Sequence, residues 1–277
     1  MQIINGRKIR DSILMDLKKE IQALEFKPIF CDVVVGEDPA SLQYVNMKMK
    51  TAESLGLVFH KAFFNKNIST SELIDHIKLI NKIENMSGVI VQLPLPSSVD
   101  TRLVLDAIES DLDVDCLGAV SNSKFYNGEN VLGLPTALAC MHILDSLNID
   151  LSLKNIVVLG TGELVGRPVS KMLELRNLKH ICLNSMSKNK EEVIKNADVI
   201  ISGIGQASYI KGSMLKKDVI LIDAGTSESN GSLSGDVDLE SVKEVASIVS
   251  PVPGGVGPVT IAMLFKNVLE VAKNKHK

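Results

Sequence analysis

A chain of 277 residues with 45 % apolar and 23 % charged residues and a net charge of -3 has room for two domains; it shows no basic field for nucleic acid and no acidic tail. Aromatics make up 4 % and tryptophan is absent, which argues against a base-stacking platform. Four scattered cysteines (Cys31, Cys116, Cys140, Cys182), a charged amino-terminal stretch and no apolar run near the ~20 residues of a membrane span predict a soluble cytoplasmic protein with reduced thiols and no membrane partner.

The first half alternates helix and strand. A helix over Gly6–Leu24 leads to a strand, Ile29–Val35, whose run of valines ends at Gly36. Asp38 is placed to cap a helix that Pro39 begins and Gly56 stops. On that helix Tyr44 and Lys48 share one face, four residues apart. A phenol beside an amine just past a strand end suits proton transfer, although such a pair in isolation reads as an amphipathic helix with a solvated lysine. A strand over Leu57–Phe63, a helix over Ser71–Asn81 and a third strand from Gly88 towards Pro96 complete βαβ spacing, hence a mostly parallel sheet. Parallel strands end on one edge, where ligands bind, which brings Gln92 near Tyr44 and Lys48; Pro94 and Pro96 make a rigid lip there. Alone, Gln92 reads as a strand-end hydrogen-bonder.

After a helix over Thr101–Ile108 comes Asp111-Leu112-Asp113-Val114-Asp115-Cys116. No histidine or cysteine joins these acids at metal-ligand spacing, so no metal is expected. They are solvated turn acids, or one of them clamps a planar N–H fork in bidentate fashion. Asn122–Val131 is polar and reads as a loop crossing into a second unit.

The second half carries a different signature. A buried strand, Asn155–Leu159, runs into Gly160-Thr161-Gly162-Glu163-Leu164-Val165-Gly166 and a helix to about Leu175. Glycines between strand and helix allow a pyrophosphate to approach a helix amino end, although G-x-G-x-x-x-G is not the usual G-x-G-x-x-G. Strands His180–Asn184, Ala197–Ser202 (ending in Gly203-Ile204-Gly205) and Val219–Asp223 (ending in Ala224-Gly225) extend a dinucleotide-binding half. Where an acid would grip the ribose hydroxyls of NAD stand Asn184, Ser185, Met186, Ser187 and Lys188, which leans to NADP, with NAD as the alternative. Ser250–Thr260, rich in proline and glycine, makes a stiff loop with room for a cis X-Pro bond, and an apolar helix follows to a solvated basic tail, Lys273–Lys277.

Asp38-Pro39-Ala40-Ser41…Tyr44…Lys48, Gln92-Leu93-Pro94-Leu95-Pro96, Asp113-Val114-Asp115, Gly235-Asp236-Val237-Asp238 and Pro251–Thr260 together resemble one family along nearly the whole chain: the bifunctional methylenetetrahydrofolate dehydrogenase/methenyltetrahydrofolate cyclohydrolases. The resemblance implies an α/β protein of two domains with a cleft between them. Residues 1–119, completed by helix 259–277, form the folate-binding catalytic domain, and residues 120–258 the Rossmann-type NAD(P)-binding domain. It implies Lys48 as catalytic lysine, Tyr44 as its neighbour over the folate ring, Gln92 as its partner and Asp115 as pterin anchor. Leu93, Pro94, Pro253, Gly254 and Gly255 would complete the substrate site. Gly160, Thr161, Gly162, Leu164, Val165, Ser185, Gly203, Ile204, Gly225 and Thr226 would hold NADP. The partners implied are tetrahydrofolate derivatives and a second copy in a homodimer.

The chemistry suits these residue types. After hydride transfer to nicotinamide, water attacks a methenyl cation, and Lys48 can take that water's proton only as a neutral amine. A dehydrated site and a cationic substrate favour the neutral form, and Gln92 orients the amine without restoring its charge. Four departures from the family pattern stand out: Cys116 for the usual Gly after D-V-D, Gly160-Thr161-Gly162 for G-R-S, Asn184-Ser185 for H-S, and Leu134–Ala139 for P-C-T-P-x-G. Most touch the dinucleotide half, so a dehydrogenase acting only with NAD, or a paralogue that binds without turnover, are the competing readings.

Overall fold

The computed structural model describes residues 1–129, 132–229 and 232–275. In chain order its first elements are β1 (Gln2–Ile3), α1 (Gly6–Gln22), β2 (Ile29–Val35), α2 (Pro39–Leu55), β3 (Val58–Phe64), α3 (Thr70–Ile80), β4 (Met86–Val91), α4 (Thr101–Asp106) and α5 (Ala119–Tyr126). There follow α6 (Pro135–Ser146), β5 (Ile156–Leu159), α7 (Gly166–Leu175), β6 (His180–Leu183), α8 (Lys190–Lys195), β7 (Val199–Ser202) and β8 (Val219–Asp223). The last are β9 (Ser227–Ser229), β10 (Ser232–Ser234), α9 (Leu239–Val242), β11 (Ala246–Ser250) and α10 (Val256–Asn274). The chain forms two compact units, one of Ser12–Leu134 with Leu264–Lys277, the other of Met1–Asp11 with Pro135–Met263.

The first unit is a three-stranded parallel sheet in the order β3-β2-β4. Strand β2 lies in the middle, and all of β4 is buried. Phe30 of β2 is wholly buried and meets Phe265 of α10 edge to face, with ring centroids 5.2 Å apart. Gly88 is small for a reason: a Cβ there would lie 3.0 Å from both Val114 and Val268. Helix α10 thereby packs close on β4, and buried Asn267 turns that contact into hydrogen bonds. Its Nδ2 donates to the carbonyls of Val114 and Gly133, each at 2.8 Å.

Several expectations need correction in this unit. The third strand stops at Val91, short of the proline pair, so Gln92 stands just past its end. The polar stretch from Asn122 is helix α5 as far as Tyr126; Asn130 and Val131 lie outside the described residues. A distant acid makes the helix: Asp113 accepts from the Gly118 N–H at 2.7 Å and from Ser121 Oγ, and Asp106 accepts from the Ala119 N–H at 2.7 Å. Lys273 is no free tail residue, since it sits in α10 and pairs with Glu20 at 2.5 Å; His276 and Lys277 lie outside the described residues.

The second unit is a six-stranded sheet, β1-β11-β8-β7-β5-β6, parallel at every pairing. The apolar residues of β5, β7, β8 and β11, with Leu183, Ile194 and Ile210, form its core. The chain leaves β5 for β6 on one side and returns to β7 on the other, so a topological switch point lies at the carboxyl ends of β5 and β7. Helix α10 begins at Val256, so Gly257–Thr260 form its first turn rather than the end of the preceding loop; Pro258 is tolerated there because first-turn N–H groups have no helical partner. Among the described residues no helix is long and apolar enough to cross a membrane.

Asn267→Ala leaves two buried carbonyls unpaired and should destabilise the protein by about 2–4 kcal/mol, read from urea unfolding.

Candidate functional site

Helix α2 fixes the register of the first site. Asp38 caps it by accepting from the Ser41 N–H at 2.8 Å, Pro39 fills the first turn, and Gly56 closes it in the left-handed conformation at φ 92°. With both ends set, Tyr44 and Lys48 fall on one face, as their spacing predicts. Their surroundings differ. Tyr44 is 46 % exposed, a ring free to cover a ligand, whereas Lys48 is only 7 % exposed.

The Lys48 Nζ donates to Gln92 Oε1 at 2.8 Å, and Gln92 Nε2 donates to the Leu93 carbonyl at 2.9 Å, which turns the amide oxygen towards the lysine. The strand-end amide and the helical amine therefore meet. The Leu93–Pro94 peptide beyond them is cis.

Sequence reasoning missed the third member. Asp32, in the middle of β2 and fully buried, places Oδ2 2.8 Å from Lys48 Nζ. Its Oδ1 has no hydrogen-bond partner among the described residues. Burial raises the Asp32 carboxyl above the ordinary range, while the charges of Lys48 and, more weakly, Lys61 pull it down. Lys48 thus has a carboxylate behind it as well as the neutral Gln92 amide. The signal was present as one acid in Ile-Phe-Cys-Asp-Val-Val-Val. A charge inside a buried parallel strand requires a partner.

The two acids beside Val114 have separate tasks. Asp113 is 1 % exposed and turns inward to hold Gly118 and Ser121. Asp115 is only partly buried, and its carboxyl is pushed up to about 7 by desolvation, with Asp113 and Asp32 adding to the rise and Lys48 opposing it. Cys116 follows with φ 58°, a left-handed backbone that glycine takes without strain. Its buried thiol faces the Asp113 carbonyl at 3.8 Å. Among the described residues no group of three or more His, Cys, Asp or Glu side chains could hold a metal.

In the second unit, Gly160 ends β5 at φ 95°, and a Cβ there would lie 2.6 Å from the Gly203 carbonyl. A Cβ on Gly166 would come within 1.9 Å of the Gly160 carbonyl, so α7 starts hard against the turn. Gly162 differs, having open space around it, and Thr161, Gly162 and Leu164 are exposed while Val165 is partly buried. Gly203 and Ile204 follow β7 at the switch point. Ile204 donates its N–H to Asp236 at 2.8 Å, as does Gln206, and Ser202 Oγ donates at 2.6 Å. Gly225 lets Asp236 approach, since a Cβ there would lie 2.1 Å from that carboxyl; Thr226 beyond it is exposed. Asp223, its carboxyl pushed up to about 6 by burial, accepts from the N–H groups of Gly225, Asp236 and Val237. The Gly-Asp-Val-Asp motif is therefore a clamp on the loops that follow β7 and β8.

Ser185 is exposed after β6, with Lys190 Nζ donating to its carbonyl at 3.1 Å. Pro253, Gly254 and Gly255 lie after β11; the Val252–Pro253 bond is cis, Gly254 has φ 105°, and its carbonyl accepts from the Gly6 N–H at 2.9 Å. Lys48, Gln92 and Asp32 are in direct contact, with Tyr44 on the same helix face and Asp115 electrostatically coupled. Asp113 belongs to the supporting loop.

Two family models match the chain: the catalytic domain of tetrahydrofolate dehydrogenase/cyclohydrolase over residues 4–115, and the NAD(P)-binding domain of the same family over residues 135–276. Bifunctional protein FolD of Staphylococcus aureus (strain JH9) is 37 % identical over 276 residues, covering 98 % of this chain and 96 % of that protein. Bifunctional protein FolD of Hydrogenobaculum sp. (strain Y04AAS1) is 38 % identical over 278 residues, covering 99 % and 100 %. Among solved structures, the bifunctional methylenetetrahydrofolate dehydrogenase/cyclohydrolase from Campylobacter jejuni superposes with a TM-score of 0.94 at 33 % identity, covering 99 % of each chain. The Trypanosoma brucei enzyme complexed with NADP cofactor and inhibitor gives 0.93 at 29 % identity, covering 99 % and 98 %. With both domains matched in order and identity sustained end to end, the chain belongs to the tetrahydrofolate dehydrogenase/cyclohydrolase family.

Proposed function

We propose that the protein oxidises 5,10-methylenetetrahydrofolate to the 5,10-methenyl cation with NADP and hydrolyses that cation to 10-formyltetrahydrofolate. One observation carries the reading: a nearly dehydrated amine, Lys48 Nζ, held 2.8 Å from Gln92 Oε1 on one side and 2.8 Å from Asp32 on the other. A binding module has no use for a buried amine so arranged. The bifunctional relatives support both activities.

Lys48, as the neutral amine, removes a proton from the water that attacks the methenyl carbon, then delivers it to the departing ring nitrogen. The remaining hydroxyl proton leaves to solvent as the formyl carbonyl forms. Gln92 holds the amine in place through each transfer. Tyr44 covers the folate ring and Asp115 clamps the N–H fork of the pterin, with Leu93 and Pro94 adding substrate contacts. Positioned acid–base catalysis of this kind contributes about 10²–10⁴-fold.

The second unit fits a dinucleotide. Glycines that no Cβ could replace bring the turn after β5 against α7, while Gly162 leaves open space at the helix amino end for a pyrophosphate. Thr161, Leu164, Val165, Gly203, Ile204, Gly225 and Thr226 would line it, and Ser185 with the nearby lysines would receive a 2′-phosphate. When bound, NADP accepts the hydride. The reading requires no metal, and on the family's pattern the enzyme is a cytoplasmic homodimer.

The test supplies methylenetetrahydrofolate with NADP or NAD, follows reduced nicotinamide, and follows methenyltetrahydrofolate hydrolysis separately. Lys48→Met should lower hydrolysis by about 10²-fold or more while leaving NADP affinity unchanged; intact hydrolysis removes the lysine from its role. Thr161→Arg should tighten NADP binding more than NAD binding, measured by calorimetry. Asp115→Asn should sharply weaken folate binding and yet stabilise the protein. An acid raised to about 7 destabilises the folded state increasingly as pH climbs from the unfolded value, 3.8, through 7. The gain in Tm is therefore full above pH 7, shrinks as the pH falls and vanishes below about pH 4.

A further inference from the structure

Asp32 carries no proton in the steps above, and among the described residues it is the fully buried carboxylate in contact with the reacting amine. Resting on the proposed hydrolysis, we propose that Asp32 is a positioning residue that holds the proton on Lys48 and so sets the pH at which the enzyme hydrolyses its methenyl intermediate. The geometry is one-sided. Lys48 Nζ has Asp32 Oδ2 at 2.8 Å and Gln92 Oε1 at 2.8 Å; both contacts strengthen when the amine is charged, but the carboxylate, with a full opposite charge, gains far more than the neutral amide. Asp32 is wholly buried and the lysine nearly so, which leaves the attraction little screened. Neither Asp32 oxygen has a hydrogen-bond partner of good geometry among the described residues, so the 2.8 Å ion pair with Lys48 is what compensates the acid's burial.

The charged groups around the pair come from every neighbouring element. Lys48 projects from α2, and Lys61 stands opposite Asp32 in the register of β3. Asp115 and Asp113 approach from the segment after β4, and the neighbouring Cys31 thiol is pushed up to about 12 by burial and by Asp32. Lys61 is exposed and Cys31 stays protonated, so Asp32 and Asp115 are the acids that bear on the lysine. Of these, Asp32 is the one in contact.

Before Lys48 can accept the water's proton it must release its own to solvent, against the attraction of Asp32. Hydrolysis should rise along an alkaline limb whose position depends on that carboxylate. Oxidation of the methylene carbon needs no base of this kind and should not follow the same limb.

Rates of both reactions are measured against pH in the full-length protein and in Asp32→Asn, Asp32→Ser and Asp32→Glu. In Asp32→Asn the hydrolysis limb should move about one pH unit towards acid, raising the rate on the limb about tenfold at fixed pH. KM for methenyltetrahydrofolate and the dehydrogenase pH profile should stay unchanged. Asp32→Ser, smaller and equally uncharged, should show the same displaced limb and stands in if the Asn variant does not fold. Asp32→Glu, which keeps the charge, should keep the wild-type limb. An unmoved limb in the uncharged variants overturns the proposal, as does a parallel fall of both activities with the limb in place, which marks Asp32 as a packing residue. Wild-type protein that oxidises the substrate but hydrolyses no methenyltetrahydrofolate refutes the bifunctional reading itself, a separate outcome.

Discussion

The contact between Lys48 and Asp32 governs the first unit. A carboxylate in the central strand of a parallel sheet is tolerated only with a partner close at hand, because removing one member of such a pair is worth several kcal/mol against the fold, commonly about 3–5. The partner must arrive from outside the sheet, at one height and on one face. Helix α2 supplies it, and the Asp38 cap, Pro39 and Gly56 fix that helix to the residue. The end of β4 supplies Gln92 in the same way. Strand, helix and loop are therefore each specified by one side chain's need for company as well as by apolar burial.

Asp32, Asp113, Asp115, Asp223 and Asp236 separate by what satisfies them. Asp113, Asp223 and Asp236 are wrapped by backbone N–H and hydroxyl groups and hold loops in place. Such acids shape the structure. Asp32 and Asp115 are different, with a lysine as their principal compensation. An acid that the fold leaves under-compensated can change protonation or bind a donor in the course of a reaction.

Much of this was legible in the sequence because it is local. The cap, proline and glycine around α2, the four-residue step from Tyr44 to Lys48, and the glycines between β5 and α7 each act within a turn or two of chain. What was not legible depends on distance or on a broken pattern. Strand β1 pairs with β11 across almost the whole chain, and neither two residues at the start nor Ala-Ser-Ile-Val-Ser near the end carries a periodicity that announces it. Helix α5 looks like a loop in its own composition because its start is stabilised by Asp113 and Asp106, which lie upstream. Asp32 was hidden by the apolar run that surrounds it: hydropathy averages over a lone acid, whereas electrostatics singles it out.

Cys116 shows how a departure from a family pattern can keep the backbone path. Its φ of 58° keeps the backbone path that glycine would take, at a cost of roughly 1–2 kcal/mol for an L-residue. The loop retains the path because Asp113, one turn back, grips Gly118 and Ser121, and because Asn267 holds the carbonyl of Val114. Asp115 thus sits on a segment pinned on both sides, with its carboxyl desolvated and near two other acids. Lys48 already has Asp32 for a counter-charge, so Asp115 is the acid left short. An acid so placed is short of donors, which a planar N–H fork supplies in bidentate fashion.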